Sequence, residues 1–280
     1  MRNIDILVIV READTVRYHQ NLSMQEGFTV QAVGNPHRAL AMLADLTHHT
    51  DVVVIDNNLP DVHLMVRDLR QKYPRLIIVL VDEEADFGLP GQADDISTEP
   101  FHNDDLARRI TRMMSDRQLE TLRSDSLPAV RNIAKRLRTA TGVRGKQEAA
   151  VLACKEMGYD YVAYYHLERL DPFRMTLYAQ NGPTAIQSIA PKQASLEDLM
   201  GWVSQNGQSR IAGPEDRPNH PLVARGRLGA IACIPVSVSG NNYGVIAACR
   251  DRPNSITQEN VLMLELVCTQ LASALSKEQL

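Results

Sequence analysis

The chain has 280 residues, 44% of them hydrophobic and 23% charged, with a net charge of −4 and an isoelectric point near 6.1. That length supports two ordinary folded domains, and the mild acidity with no basic stripe interleaved with aromatics argues against nucleic-acid binding. The opening MRNIDILVIV is too short to span a membrane, contains an acid and precedes no small-residue cleavage site, so it reads as a first strand in a cytoplasmic protein without membrane attachment. Cys154, Cys233, Cys249 and Cys268 have no CxxC or Cys/His ligand spacing and read as reduced, buried thiols.

Strand-like runs alternate with helix-period segments through the first 120 residues. Ile4 to Val10 precedes Asp14 to Gln25, Phe28 to Val33 precedes Pro36 to Leu46, Val52 to Ile55 precedes Val62 to Tyr73, and Leu76 to Val81 and a short strand at Asp95 to Ser97 lead to a helix from Asn103. This βα alternation predicts a doubly wound, five-stranded parallel sheet. The run DVVVIDNNLP, Asp51 to Pro60, is apolar on both faces and so suits a central strand. It delivers Asp56 to the carboxyl end of the sheet, where open α/β sheets place their chemistry. His48, His49 and His63 read as surface residues.

Four registers together carry a resemblance: ILVIV followed by a charged pair, VVVID56 followed by NNLP, LIIVLV, and ADDISTEPF. Residues 1–120 resemble the receiver domain of bacterial two-component response regulators. The resemblance implies that Asp56 occupies the phosphoacceptor position, beside Mg²⁺ held by an acidic pair after the first strand, a hydroxyl residue ending the fourth strand and a Lys before the last Pro. The supporting positions depart from that pattern. Arg11 and Glu12 stand at the acidic pair, Val81 at the hydroxyl, and Glu99 at the lysine. Only Glu12 and Asp56 are left as weak Mg²⁺ candidates, with Mg²⁺ entering only alongside a phosphoryl group, and Glu99 would repel the phosphate it should attract. One cation among three carboxylates preserves the charge balance of the usual site, with the cation moved from the last strand to the first. The Arg11 guanidinium is therefore expected in the crevice, ion-paired with Asp56 or Glu99 where the metal would sit. Glu12 and Asp14 read equally as a loop acid and a helix N-cap. Gly88, Pro90 and Gly91 predict that the fourth helix is short or missing.

Residues 121–145 read as a helical connector running into the next domain. Leu106, Ile110, Met113, Met114, Leu119 and Leu122 recur at helical spacing, Asp125-Ser126 with Pro128 marks a restart, and Val130, Ile133, Ala134, Leu137 and Thr141 form a second stripe. Such a stripe predicts a homodimer paired through the connector and the final helix.

In the remainder, strands at Tyr161–Glu168, Met175–Ala179, Ala230–Ser237 and Gly244–Cys249 flank a helix at Ser195–Gln205, with a tight hairpin at Gly240-Asn241-Asn242 and a last helix from Thr257 to Leu275. An antiparallel sheet with helices on one face follows. VAYYHLERLDP, GWVSQNGQSRI, LGAIACIPVSVSGNNYGVIAACR and the closing ITQENVLMLELVCTQLASAL are similar to a GAF domain, over residues 127–280. GAF domains bind cyclic nucleotides, bilins, haem or metal ions, or serve as dimerisation modules. The residues choose no ligand here: no cysteine is followed by His, as at a bilin attachment site. Tyr161, Ala163, Tyr165, Trp202, Ile211, His220 and Cys233 are candidates to line a pocket or to form plain core.

No nucleotide-binding loop, kinase segment or helix-turn-helix is recognisable. The expected function is a non-enzymatic signal-transduction protein with no certain cofactor: a degenerate receiver joined to a GAF module, acting through dimerisation and contact with a kinase or regulator. Two alternatives stand beside it, a response regulator phosphorylated on Asp56 and a small-molecule sensor acting through the GAF pocket.

Overall fold

The computed structural model describes residues 3–45, 48–85, 88–124 and 128–278, with side chains described outside 118–131. The predicted restart at Asp125-Ser126, Leu46, and the side chains of Leu119, Leu122 and Val130 lie outside the described residues. The chain divides into two compact units, residues 1–120 and 121–280.

The first unit holds five parallel strands, β1 (Ile4–Ile9), β2 (Phe28–Val33), β3 (Val52–Asp56), β4 (Ile77–Val81) and β5 (Asp95–Ser97). They lie in the order β2-β1-β3-β4-β5, a doubly wound arrangement with its switch point between β1 and β3. Every residue of β3 and β4 is buried, as their unbroken apolar runs require of central strands covered on both faces. Ile6, Val8, Val52, Val54, Ile77 and Val79 pack with Tyr18 and Leu22 of α1 (Thr15–Ser23) and with Leu106 and Ile110 of α4 (Asp105–Ser124). The alternate residues Leu7, Ile9, Val53, Ile55, Ile78 and Leu80 are equally buried. The amphipathic helices α2 (Pro36–Ala44) and α3 (Val62–Lys72) bury their own stripes, Ala39 and Leu43, and Val62, Val66 and Leu69. Helix α2 starts where Asn35 accepts hydrogen bonds from the backbone N–H groups of His37 (2.9 Å) and Arg38 (3.3 Å), with Pro36 in the first turn, a cap worth about 1 kcal/mol. Between β4 and β5 the described residues form turns and no helix, as the Gly88-to-Gly91 stretch predicts.

The second unit is an antiparallel sheet of β6 (Tyr161–Arg169), β7 (Arg174–Asn181), β8 (Arg210–Ala212), β9 (Ala230–Val238) and β10 (Asn241–Arg250), ordered β7-β6-β10-β9-β8. One face carries α5 (Pro128–Thr139), α6 (Gly142–Glu156) and α10 (Gln258–Ser276), with Val162, Tyr164, Ala232, Ile234, Ile246 and Ala248 facing them. Helix α10 begins in a capping box formed by Thr257 and Asn260. The β9–β10 turn falls on Ser239 (φ 52°) and Gly240 (φ 82°), one residue earlier than expected. Two consecutive positive-φ residues make a type I′ turn, and Asn241 already pairs with Val238. The three-residue β8 and the short helices α7 (Thr184–Ile189) and α9 (Pro221–Ala224) were not anticipated, because segments so brief show no period.

Two residues of the α5 stripe, Ile133 at 8% exposed and Leu137 at 1% exposed, lie in the core of their own unit with Leu264, Val267 and Leu271 of α10, so these two are not available to a second copy. From Pro128 on, the helical connector runs into the second unit.

Candidate functional site

Asp56 ends β3 and is 6% exposed. Its Oδ1 accepts the backbone N–H of Asn58 at 2.9 Å, and its Oδ2 lies 3.2 Å from Arg11 Nε. The guanidinium also lies 3.4 Å from Asp14 Oδ2 and 3.4 Å from Glu84 Oε1. The field of these carboxylates, Asp56 foremost, raises the pKa of Arg11 above its ordinary value. Both Asp56 oxygens are therefore engaged, one by an amide and one by a cation on the solvent side. Of the two partners foreseen for Arg11, Asp56 is the one taken. Glu99 is exposed and enters no ion pair among the described residues.

Val81 is buried and aligned with Asp56 on one side and Ser97 on the other, so the end of β4 offers no hydroxyl. The Ser97 hydroxyl donates to Asp105 (2.7 Å), within a network in which Arg109 bridges Asp105 and Asp95. Glu12 is exposed and its carboxylate lies over Gly34, where a Cβ would meet Glu12 Oε2 at 1.8 Å. Asp14 stands at the N-cap of α1 without a side-chain cap bond and pairs with Arg11 instead.

Sequence reasoning missed Asp82. It is 8% exposed and accepts from Asn57 Nδ2 (2.9 Å), Asn58 Nδ2 (3.3 Å) and the Glu84 backbone N–H (3.3 Å). Asp82 thus ties the loop after β3 to the loop after β4. Next to it, Glu83 accepts from the Tyr18 hydroxyl at 2.9 Å and pairs with Arg17 at 3.1 Å, and burial raises the Tyr18 pKa. The signal was present as an acidic run, Asp82-Glu83-Glu84, directly after an apolar strand.

No group of three or more metal-ligating atoms forms around Asp56 among the described residues. The one such group is Asp5, His49 and Asp51 at the opposite end of the sheet, within 4.8 Å of one another. His49 Nε2 is 2.8 Å from Asp51 Oδ1, and its side chain is 17% exposed, so His49 is partly buried where a surface residue was expected.

In the second unit Tyr161, Ala163, Tyr165, Trp202, His220 and Cys233 are all buried. By strand alternation the residues of β6 and β9 among them face away from the three helices. Ile211 pairs with Ala232 and belongs to the helical core, apart from the other candidates. Its neighbour Arg210, 2% exposed and aligned with Cys233, takes the other face, 5.0 Å over the Trp202 ring. A one-residue change in strand register inverts which side chain faces which layer.

This second face holds several buried polar groups. The Tyr161 hydroxyl donates to Gln180 (2.8 Å) and the Tyr165 hydroxyl to the Pro191 carbonyl (2.9 Å). Asp198 caps α8 (Leu199–Asn206) by accepting the Gly201 N–H (2.9 Å) and also accepts the Ser195 N–H (2.8 Å). Burial pushes its carboxyl up to about 6 despite those bonds. His220 caps α9 through Nδ1, which accepts the Leu222 N–H at 3.1 Å. Its Nε2 is buried without a hydrogen-bond partner, and burial pushes its pKa down to about 3, so the imidazole is neutral with its proton on Nε2.

Residues 147–276 match the family model described as GAF domain, no receiver model matches the first unit, and no curated protein matches the chain. Among solved structures, the GAF domain of the Acinetobacter phosphoenolpyruvate-protein phosphotransferase is 18% identical, covering 54% of this chain and 92% of that one with a TM-score of 0.44. The free methionine-R-sulfoxide reductase of Neisseria meningitidis, solved with its substrate, is 16% identical, covering 54% and 88% with a TM-score of 0.47. The corresponding phosphotransferase GAF domain from Coxiella burnetii is 14% identical, covering 54% and 92% with a TM-score of 0.45. Among the described residues no helix is long and apolar enough to cross a membrane. Residues 147–276 of this chain form a GAF domain.

Proposed function

We propose that the chain is a non-enzymatic signalling protein in which a receiver-like unit, locked by an internal cation, is joined to a GAF sensory module and acts through a homodimer and a kinase or regulator partner. The observation that carries the locked reading is the Arg11–Asp56 ion pair at 3.2 Å, with the other Asp56 oxygen held by the Asn58 amide. A nucleophilic carboxylate needs a free oxygen facing the phosphodonor and a metal to offset the charge of the arriving phosphoryl group. Here the cation is covalently part of the chain, and Glu12 is turned to Gly34.

The test is the intact mass of the full chain after incubation with acetyl phosphate and Mg²⁺, beside Asp56→Asn and Arg11→Ala. The expected result is no phosphoryl increment in the wild-type chain. An increment that vanishes in Asp56→Asn establishes the response-regulator alternative, with Glu12 and Asp56 holding the Mg²⁺. A second reading, a small-molecule sensor, is favoured by the buried and unpartnered His220 Nε2. Its test is thermal stabilisation of the chain across a panel of cyclic nucleotides, tetrapyrroles and haem.

A further inference from the structure

The N-terminal end of the parallel sheet, away from the Asp56 crevice, gathers three metal-ligating side chains. Asp5 lies in β1, Asp51 directly precedes β3, and His49 comes from the loop between α2 and β3. One ligand atom from each stands within 4.8 Å of the other two. The backbone fixes the two carboxylates on adjacent strand ends: the Asp51 N–H donates to the Asp5 carbonyl (2.8 Å), and the Asp5 N–H donates to Asp51 Oδ2 (3.0 Å). Donors held on rigid elements need little reorganisation to receive an ion.

The polar commitments of the three side chains leave a place for a cation. Asp5 is partly buried, and its carboxylate has no hydrogen bond or ion pair among the described residues. The His49 and Asp51 side chains are 17% and 19% exposed, so water screens the two carboxylates only in part. His49 Nδ1 is buried without a hydrogen-bond partner, and Nε2 lies 2.8 Å from Asp51 Oδ1, so the ring's polar interaction runs through Nε2 toward the carboxylates. That separation also fits an edge of a coordination shell: two donors about 2.0–2.1 Å from one ion and at right angles stand about 2.8–3.0 Å apart. Two carboxylates drawn together around an imidazole are stabilised by a shared positive charge.

We infer that Asp5, His49 and Asp51 bind one divalent transition-metal ion of the Zn²⁺ type, through two carboxylate oxygens and His49 Nε2. A set of one nitrogen and two oxygens suits such ions, whereas Mg²⁺ and Ca²⁺ take oxygen ligands. The ion takes the Nε2 lone pair, and any proton held there is released to solvent. Water fills the coordination positions that the three side chains leave. The bound ion clips the loop before β3 to β1. The site shares no residue with the Asp56 crevice, and its test does not depend on whether Asp56 accepts a phosphoryl group.

The probe is Zn²⁺ alone, titrated by calorimetry into the untagged full-length chain after treatment with a chelator. The expected result is one saturable site per chain, weakened about tenfold or more in both Asp5→Asn and His49→Gln, and competed by Co²⁺ but not by millimolar Mg²⁺. His63, an exposed histidine of α3, is the control, and His63→Gln leaves the affinity unchanged. Asp5→Asn is isosteric and breaks no side-chain hydrogen bond among the described residues, so it keeps the test decisive where His49→Gln fails to fold, which circular dichroism checks. Absence of saturable binding by the folded chain leaves only a His49–Asp51 hydrogen bond and overturns the proposal. A smaller loss in Asp5→Asn, or an equal loss in His63→Gln, means an adventitious ion only and overturns it as well. So does equal competition by Mg²⁺.

Discussion

His220 and Asp198 titrate in opposite senses within one domain, and replacing either one exposes the other. Burial lowers the His220 pKa from 6.5 to about 3. As pH falls below 6.5 the unfolded chain takes up a proton that the folded chain refuses, so folding is weakened by about 1.4 kcal/mol per pH unit. Burial raises Asp198 from 3.8 to about 6. Between those values the folded chain keeps a proton that the unfolded chain has released, so acidification strengthens folding with the same slope, and the two contributions offset each other between about pH 6 and pH 4. His220→Asn keeps an acceptor for the Leu222 N–H and removes the titration. Relative to wild type it should gain about 3 kcal/mol between pH 7 and pH 4, whereas Asp198→Asn should lose about 3 kcal/mol over the same range. Any fixed loss from altered contacts shifts a curve without tilting it. The assay is urea unfolding at several pH values followed by Trp202 emission. Trp202 is the only tryptophan of the chain and is 1% exposed in α8, so it reports this domain. Stability curves for both variants parallel to that of the wild type would refute the reasoning.

Other outcomes follow from the same contacts. Gly244 sits at φ +147° with a would-be Cβ 2.0 Å from the Tyr165 carbonyl oxygen, so Gly244→Ala should destabilise the GAF domain by about 2–4 kcal/mol in the same urea assay. Tyr164→Phe removes a buried hydroxyl that donates to the Tyr243 carbonyl at 2.7 Å. It should cost about 1–2 kcal/mol, read from the urea midpoint. All four cysteines are buried, and burial pushes the Cys154 thiol up to about 12 and raises the other three. Iodoacetamide at pH 8 should leave the folded chain unlabelled and modify all four after unfolding, counted by intact mass.

Local patterns sufficed wherever local physics decides the outcome. The β-branched run before Asp56 can bury both faces only as a central strand, and the helices expected from Pro36 and Thr257 start there, held by caps at Asn35 and at Thr257 with Asn260. A cation at position 11 among carboxylates on neighbouring strand ends was enough to foresee an ion pair with Asp56 or Glu99, because the βα alternation already brings those ends to one edge, but not to choose Asp56 between them.

Tertiary structure decided the contacts that depend on distant segments or on a single step of register. Glu84 reaches the guanidinium, and Asp82 ties the loops after β3 and β4, because the parallel pairing that aligns Asp56 with Val81 sets those two strand ends side by side, whereas Asp14 joins Arg11 locally from three residues away. Ile211 lies in the helical core and Arg210 on the other face, an assignment the sequence did not show because β8 is three residues long, too short to show its alternation. Ile133 and Leu137 of the α5 stripe pack with α10, a partner the stripe alone could not name, since an amphipathic pattern states that a face must be buried and not against what. The residue pattern of the chain thus determined a parallel α/β domain, an antiparallel sheet with helices and their strand ends, while the sharing of charge in the crevice and the side chains meeting on each face of the GAF sheet were set by long-range packing.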